Sequence, residues 1–239
     1  TYDGGLNDIN GFHVKQEHVF AALDQASTGP VIEGSVGGGT GMVCHDFKGG
    51  IGTASRKLGD ENGGHTVGIL VQANHGDRHS LLVAGVPVGR EITDLQPASG
   101  SADSGSGGSS IIVVVATDAP LLPHQLKRLA RRVPLGIARV GGMGANSSGD
   151  IFIAFSTANP GAAQRVGVSS IEMLANDEMT RLFEATVHAT EEAIVNALVA
   201  AETMQGINGN TVYALPHDRL KQVMVKYNRS EEQGSTRLI

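Results

Sequence analysis

The sequence has no tryptophan, and aromatic residues of all kinds make up only 4% of its 239 residues. It also lacks a basic excess: the formal net charge is −6 at pH 7, so the electrostatic signature of a nucleic-acid-binding protein is missing. No apolar run approaches the length of a membrane span, and no signal peptide is visible. We therefore expect no nucleic-acid partner, no membrane partner and a cytoplasmic location. A periplasmic location stays open because the chain begins at Thr1 rather than Met.

Cysteine occurs once, as Cys44, which excludes an internal disulfide. The next residue is His45, but adjacent residues of a strand face opposite ways, so the sequence favours a buried structural thiol over a catalytic pair. The chain also lacks the Gly-x-Ser-x-Gly, His-Glu-x-x-His, Cys-x-x-Cys and Ser-x-x-Lys motifs. The sequence therefore shows none of these motifs, which are typical of the better-known serine, zinc and thiol enzymes.

Glycine is abundant, at 33 residues, and the apolar and charged shares of 40% and 18% are those of a globular protein. A chain of this length can bury one substantial core. Periodicity predicts strands at 51–58, 65–73, 79–84, 111–115 and 151–157, and helices at 13–26, 118–132, 176–204 and 216–227. Because the strands lie in the middle of this order and long helices toward its ends, we expect helices that cover the outsides of stacked sheets.

The most strand-like run, residues 111–115, follows directly on a Gly/Ser-rich tract that begins at Ser99 and ends at Ser110. One interpretation of the tract is a flexible linker between domains. The other is a processing site, because a cut just before Ser110 would leave a serine with a free α-amino group at the head of a core strand. Such a residue combines a nucleophilic hydroxyl with a base of unperturbed pKa about 7.7–8.0.

A second polar turn, Ser148-Gly149-Asp150, precedes the strand predicted at 151–157. If this strand and the one after Ser110 are neighbours, the Ser148 hydroxyl and the Asp150 carboxylate lie within reach of the Ser110 amine and hydroxyl. A carboxylate there would also hold a cationic amine, either that of Ser110 or that of a substrate.

His75, Asp77 and His79 alternate along the chain, and on a regular strand they would project from one face as metal ligands do. The Gly76-Asp77 pair indicates a turn instead, which would scatter the three side chains. No acidic helix or further histidine pair completes such a site. We therefore expect no metal and no cofactor.

Five stretches carry a resemblance to a known family. They are Gly37-Gly-Gly-Thr-Gly-Met42, Phe47-Lys-Gly-Gly-Ile-Gly-Thr53, Gln72-Ala-Asn74, Ser110-Ile-Ile-Val-Val-Val-Ala-Thr-Asp-Ala-Pro-Leu121 and Ser148-Gly-Asp-Ile-Phe-Ile-Ala-Phe155. These motifs resemble those of the L-aminopeptidase/D-Ala-esterase family, which includes the β-peptidyl aminopeptidases. The resemblance runs from Tyr2 to Tyr227.

The resemblance implies an α+β fold, an αββα sandwich similar to that of the N-terminal-nucleophile (Ntn) hydrolases, over a single domain of residues 1–239. It implies self-cleavage into an upstream part, residues 1–109, and a downstream subunit, residues 110–239. The two stay together as a pair, and the pairs form a homo-oligomer. Family members carry a segment before the equivalent of Thr1, so the sandwich is expected to be incomplete at its N-terminus.

Carried over by position, Ser110 resembles the nucleophile and new N-terminus, and Asn74 resembles the oxyanion-hole donor. Ser148 resembles the serine beside the nucleophile. Tyr2 resembles the active-site tyrosine, which assigns it to substrate binding.

Two positions depart from the family pattern. Asp150, which the resemblance also places among the catalytic residues, stands where many members have Glu. The family's cut follows a glycine, whereas Ser109 precedes Ser110 here, which makes the Gly108–Ser109 bond a competing cut.

We therefore expect a self-processing serine aminopeptidase or amidase without a cofactor. It would release N-terminal residues from short peptides, amino-acid amides or esters through an acyl-Ser110 intermediate. Two alternatives stay open. A metal-dependent hydrolase would use His75, Asp77 and His79, and a truncated, inactive family member would act only as an assembly subunit.

Overall fold

A computed structural model describes residues 1–97 and 110–229, so the predicted cleavage-site residue Ser109 and the Gly/Ser tract before it lie outside the described residues. The strands are β1 (Val43–Cys44), β2 (Phe47–Lys48), β3 (Gly50–Lys57), β4 (Thr66–Asn74), β5 (Ser110–Thr117), β6 (Ile151–Ser156), β7 (Met204–Gln205) and β8 (Thr211–Val212). The α-helices are α1 (Gln16–Asp24), α2 (Val88–Glu91), α3 (Pro123–Ala130), α4 (Val133–Arg139), α5 (Met179–Ala200) and α6 (His217–Lys226). None of the helices in this part of the chain has both the length and the apolar character that a membrane span requires.

One four-stranded sheet, in the order β3-β4-β5-β6, forms the centre of the structure. β4 is antiparallel to both β3 and β5, whereas β6 runs parallel to β5. β5 contains the long β-branched run of the sequence and occupies a central position, as such a run favours. The parallel pairing matters for the site because the first residues of β5 and β6 then lie at the same end of the two strands.

The inner face of this sheet is buried against three helices. Its side chains alternate along β4 and β5 and are small or branched: Val67, Ile69, Val71, Ala73, Ile111, Val113 and Val115. α5 lies across β3 and β4, with α3 and α4 packed beside it. The buried side of α5 carries alanines four residues apart, at 185, 189, 193 and 197. These small side chains lie on one helix face and allow the helix to approach the sheet closely.

The outer face of the same sheet is apolar but open. Ile151, Ile153 and Phe155 of β6 are 52%, 53% and 45% exposed, and the register aligns them with three further apolar residues of β5. In a sandwich, two sheets bury such faces against each other. The described residues thus form one helix layer and one sheet layer of the expected sandwich, and the α+β class is confirmed.

Two predicted elements are wrong in detail. The strand predicted at 79–84 is replaced by a 3₁₀ turn, Arg78–Ser80, because the chain turns inward to bury the arginine side chain. The helix predicted from Asp118 begins only at Pro123. Asp118 does not cap it, because Asp118 Oδ1 accepts a hydrogen bond from the Thr66 backbone at 2.7 Å and ties this loop to the start of β4.

The contact between β3 and α5 gives a test of the packing. A Cβ added at Gly52 would lie 2.0 Å from the Ala193 carbonyl oxygen, whereas one added at Gly68 on the neighbouring strand meets nothing closer than 3.9 Å. We expect Gly52→Ala to lower the free energy of unfolding by about 3 kcal/mol, because helix and sheet must move apart. Gly68→Ala is the matched control and should leave stability unchanged or raise it by up to about 1 kcal/mol. Urea unfolding followed by circular dichroism measures both, and equal values would contradict the close packing.

Candidate active site

Ser110 is the first residue of β5 and lies directly opposite Asn74, the last residue of β4. Directly opposed residues of two strands project from the same face of a sheet, so both side chains lie on the outer face where β4 ends. Both are buried, with 7% and 5% of their surface exposed. A hydroxyl and a carboxamide are therefore held side by side on a rigid strand pair.

The turn at 148–150 brings further polar groups to the same place. The Gly149 amide donates to Ser110 Oγ at 2.9 Å. Asp150 Oδ1 accepts one hydrogen bond from the Ile111 amide at 3.0 Å and another from the Ser148 hydroxyl at 2.6 Å. Since β6 starts directly after this turn, its parallel pairing with β5 carries the turn to the head of β5. Ser110 and the turn at 148–150 thus belong to one hydrogen-bonded group around the Ser110 hydroxyl.

Asn74 is oriented by β1. The Val43 amide donates to Asn74 Oδ1 at 2.8 Å. The carbonyl end of the carboxamide is thus turned to β1, and Nδ2 is the donor end of the same group. This arrangement suits a hydrogen-bond donor for an oxyanion, because the donor is held in place before any substrate arrives.

Lys48 holds the loop that leads into β1. Its side chain is fully buried, and Nζ donates to the carbonyl oxygens of Gly39, Met42 and Gly49 at 2.9–3.1 Å. Burial lowers the pKa of Lys48 from 10.5 to about 8, so the ammonium is still mostly charged at neutral pH. All three of its N–H bonds are used. The loop and β1, and through them the orientation of Asn74, therefore depend on one buried cation.

Arg78 also links neighbouring loops through hydrogen bonds to their backbone carbonyls. Its guanidinium carbon lies 3.3 Å from the centroid of the Phe47 ring. Burial lowers the pKa of Arg78 to about 10, which leaves it charged at neutral pH. The guanidinium donates to the backbone carbonyls of His45, Asp46, Ile92, Asp94 and Leu95. It thus joins the turn after β1 to the chain segment that leads toward the Gly/Ser tract.

The N-terminal segment reaches the same face of the sheet. Gln72 lies two residues before Asn74, hence on the same side of β4, and its Nε2 donates to the Thr1 hydroxyl. Tyr2 itself is half exposed, with its ring folded back over its own segment. No hydrogen bond joins it to Ser110 in the part of the chain that the structure describes. The structure therefore does not bring Tyr2 into the hydrogen-bonded group around Ser110.

The structure does not bring His75, Asp77 and His79 together. His75 is buried and the other two are exposed, because the chain turns at Gly76, whose φ is +81°. This turn ends the alternation that a regular strand would impose. The alternative of a metal site formed by these three residues is therefore wrong. The turn that the Gly76-Asp77 pair indicated is what scatters them.

His45 lies near Cys44, contrary to the expectation from strand alternation. With Asp46 it forms a two-residue turn between β1 and β2, at φ values of +49° and +57°, and the turn folds its ring toward that of His75. Burial raises the pKa of Cys44 to about 12 and lowers the pKa of His75 to about 3. The thiol is therefore protonated and unreactive as a nucleophile, in line with the structural role predicted for it.

Sequence reasoning missed Lys48, Arg78 and the backbone donors of Val43 and Gly149. The two amides carry no side-chain signal, because every residue except proline has one. Lys48 is part of the motif Phe47-Lys-Gly-Gly, but nothing in the sequence indicates its partners, since these are backbone carbonyls too.

Comparison with known proteins agrees with the motifs. The model of peptidase family S58 matches residues 1–212. The chain therefore belongs to peptidase family S58, which confirms the family resemblance of its motifs.

The relatives are longer than this chain. A beta-peptidyl aminopeptidase of Sphingosinicella microcystinivorans is 54% identical over an alignment of 240 positions, which covers 96% of this chain and 60% of the relative. The structure of an L-aminopeptidase D-Ala-esterase/amidase from Ochrobactrum anthropi, described as a variant of the Ntn hydrolase fold, matches with a TM-score of 0.87 at 51% identity, covering 96% and 62%. A Burkholderia beta-aminopeptidase matches with a TM-score of 0.85 at 51% identity, covering 95% and 63%. The fold is thus of the Ntn hydrolase type, and the chain spans about three fifths of the length of these relatives.

Replacing Lys48 by Met should lower the free energy of unfolding by roughly 1–3 kcal/mol, because three buried carbonyl oxygens lose a charged donor. Urea unfolding measures the change. Lys57→Met is the matched control, since Lys57 is exposed at the end of β3, and it should change stability by less than about 0.5 kcal/mol. If the two variants were equally stable, Lys48 would not be what holds the loop before β1.

Proposed function

We propose that this chain carries the nucleophile of a self-processing serine aminopeptidase or amidase. The observation that carries the proposal is the buried Ser110 hydroxyl at the head of a core strand, opposite a carboxamide whose orientation is already fixed. Membership of a peptidase family supports this function over the metal-dependent alternative. The relatives are named a beta-peptidyl aminopeptidase and an L-aminopeptidase D-Ala-esterase/amidase. We accordingly assign short peptides, amino-acid amides and esters as the substrate class.

Processing would cut the Ser109–Ser110 bond and divide the chain into parts 1–109 and 110–239. The new α-amine of Ser110 would then lie one residue from Ile111, whose own amide is held by Asp150. Such restraint matters because a displacement of about 1 Å can cost roughly 10²-fold in rate. A nucleophile on the first residue of β5 satisfies this requirement, because β5 is paired with a strand on each side.

In the proposed reaction, Ser110 Oγ adds to the substrate carbonyl carbon while its proton passes to the Ser110 α-amine. The carbonyl π electrons move onto the oxygen, and Asn74 Nδ2 donates a hydrogen bond to this oxyanion. When the tetrahedral intermediate collapses, the scissile bond breaks and the departing group leaves with the proton of the ammonium. Water, deprotonated by the same amine, then hydrolyses the acyl-Ser110 ester and releases the N-terminal residue.

Asp150 and Ser148 are assigned to the charges that arise around Ser110. The Asp150 carboxylate is anchored by the Ile111 amide and by the Ser148 hydroxyl, which keeps a negative charge beside the nucleophile. A carboxylate at this position stabilises an ammonium, either that of Ser110 or that of the substrate. Tyr2, on the segment that reaches the same sheet face, is assigned to substrate binding. As the family resemblance implies, processed pairs are proposed to form a homo-oligomer.

The choice between the two adjacent serines gives the first test. Ser110→Ala should remain a single uncut chain without activity, because the attacking hydroxyl is lost and, without the cut, no α-amine is released at position 110. Ser109→Ala, the matched control, should still yield a downstream fragment that begins at Ser110 and turns over an amino-acid amide. Intact-mass measurement and N-terminal sequencing determine the cut.

Two other outcomes would change the proposal. Processing of Ser110→Ala after Gly108, with activity retained, would move the nucleophile to Ser109. A folded parent chain that stays uncut and hydrolyses no amide would instead support the alternative of an inactive assembly subunit.

The oxyanion role of Asn74 gives the second test. Asn74→Ala should lower kcat by about 10²–10³-fold with little change in KM, because an oxyanion donor acts on charge that develops in the transition state. Asn74→Asp keeps an acceptor for the Val43 amide but removes the donor, so it should lose comparable activity. If Asn74→Asp retained activity that Asn74→Ala lost, the residue would only hold β1. Asn62→Ala, in the 3₁₀ turn Asp60–Asn62 that precedes β4, is the control and should keep full activity.

A further inference from the structure

A cluster of three metal-ligating side chains lies next to Asn74 but outside the polar group around Ser110. Cys44, His45 and His75 each offer one ligand atom, and these atoms lie within 4.8 Å of one another. Cys44 Sγ is 3.8 Å from His75 Nδ1. The exposed fractions of the three residues are 0%, 0% and 5%, so the cluster is shut off from solvent.

Two nitrogens of this cluster have no hydrogen-bond partner among residues 1–97 and 110–229. They are His45 Nε2 and His75 Nε2, and both are buried. A buried polar atom without a partner destabilises the folded state, and native structures contain few of them. The His45 ring lies with its centroid 5.2 Å from that of His75, and the other nitrogen of His75, Nδ1, is 3.8 Å from Cys44 Sγ. His45 Nε2 and His75 Nδ1 are therefore the two nitrogens that one ion can share with the sulfur.

The other ring nitrogen of His45, Nδ1, makes the kind of hydrogen bond that metal-binding histidines make. His45 Nδ1 lies 3.0 Å from the Asp77 carbonyl oxygen. A carbonyl only accepts, so Nδ1 carries the proton and the lone pair is on Nε2. Histidines that bind a metal almost always donate their other N–H to a carbonyl or carboxylate in this way. The turn at Gly76 supplies this carbonyl, and a Cβ there would lie 2.3 Å from the His45 ring, so the glycine makes room for it.

We propose that Cys44, His45 and His75 bind one soft transition-metal ion, Cu⁺ or Zn²⁺, through one sulfur and two imidazole nitrogens. Thiolate and imidazole are the donors that these ions prefer. Binding replaces the S–H bond of Cys44 by a sulfur–metal bond and releases the thiol proton to solvent, while the neutral imidazoles keep their protons. Three protein ligands suit Cu⁺ as they stand, and Zn²⁺ would complete a tetrahedron with water.

The separations between the three donor atoms fit one metal ion if the side chains move slightly closer together. Metal–sulfur and metal–nitrogen bonds of about 2.3 and 2.0–2.1 Å place donor atoms of one ion about 3.3–3.8 Å apart. The separation of Cys44 Sγ and His75 Nδ1, 3.8 Å, already reaches this range. The other separations, at most 4.8 Å, must shorten by about 1 Å.

Such an ion would stabilise the surroundings of Asn74 without touching the reacting atoms. Cys44 follows Val43, whose amide holds Asn74 Oδ1, and His75 follows Asn74 itself. One metal would therefore cross-link β1 to the end of β4 on both sides of the carboxamide. The site does not depend on the proposed function, because none of its three ligands is assigned a role in the reaction.

Metal content is the primary test. The reduced, untagged chain is incubated with Zn²⁺, or anaerobically with Cu⁺, or refolded from urea with either ion, and excess metal is removed by gel filtration. We expect one ion per chain with at least one of the two metals. Cys44→Ser should lower the content at least tenfold, whereas His79→Gln, on the exposed side of the same turn, should bind as the parent does. Absence of bound ion in every condition, or equal binding by Cys44→Ser, would overturn the proposal.

A second measurement needs no variant, in case Cys44→Ser does not fold. X-ray absorption of the metal-loaded parent should show one sulfur at about 2.3 Å and two nitrogens at about 2.0 Å. A first shell without sulfur would overturn the proposal. Ser110→Ala should bind the ion as the parent does. Loss of the metal site and loss of the proposed activity are thus separate outcomes.

Discussion

The candidate site depends above all on the register in which β5 pairs with β4 and β6. This register sets Ser110 against Asn74 and Ile112 against Ile151, which aligns the head of β5 with the turn before β6. A slip by one residue would turn every side chain of β5 to the other face. Each large apolar side chain removed from the core would then cost about 1.5–3 kcal/mol, whereas a typical hydrogen bond of the site contributes about 0.5–1.5 kcal/mol. The apolar inner face, and not the polar group, therefore determines the position of Ser110.

Much of the fold could be predicted from the sequence because its central elements are set by local periodicity. β4, β5, β6 and α5 lie within a few residues of their predicted ranges, since a β-branched strand and a long amphipathic helix are encoded in consecutive residues. The helix start at Asp118 was wrong for the opposite reason. Its carboxylate binds the Thr66 amide, 52 residues away, and no local pattern reports such a partner.

The difference between local patterns and partners that are distant in sequence also decides which parts of the site could be predicted. Ser110, Ser148 and Asp150 are visible as polar residues immediately before two strands, and parallel pairing of those strands is enough to bring them together. The environment of His45 was hidden because a two-residue turn at positive φ reverses the facing that strand alternation predicts. The role of Lys48 was hidden because its three partners are backbone carbonyls, which have no sequence signal.

The strand order has a consequence for the folding of a processed molecule. β4 and β5 are hydrogen-bonded neighbours in one sheet, yet they lie on opposite sides of the proposed cut, and α5 of the downstream part covers β3 and β4 of the upstream part. Neither part can leave without exposing the shared core. Once cut, however, a molecule that unfolds separates into two chains, and its refolding becomes a bimolecular reaction whose rate depends on concentration. Processing would thus turn a reversible folding equilibrium into kinetic stability, in which the slowness of unfolding protects the protein.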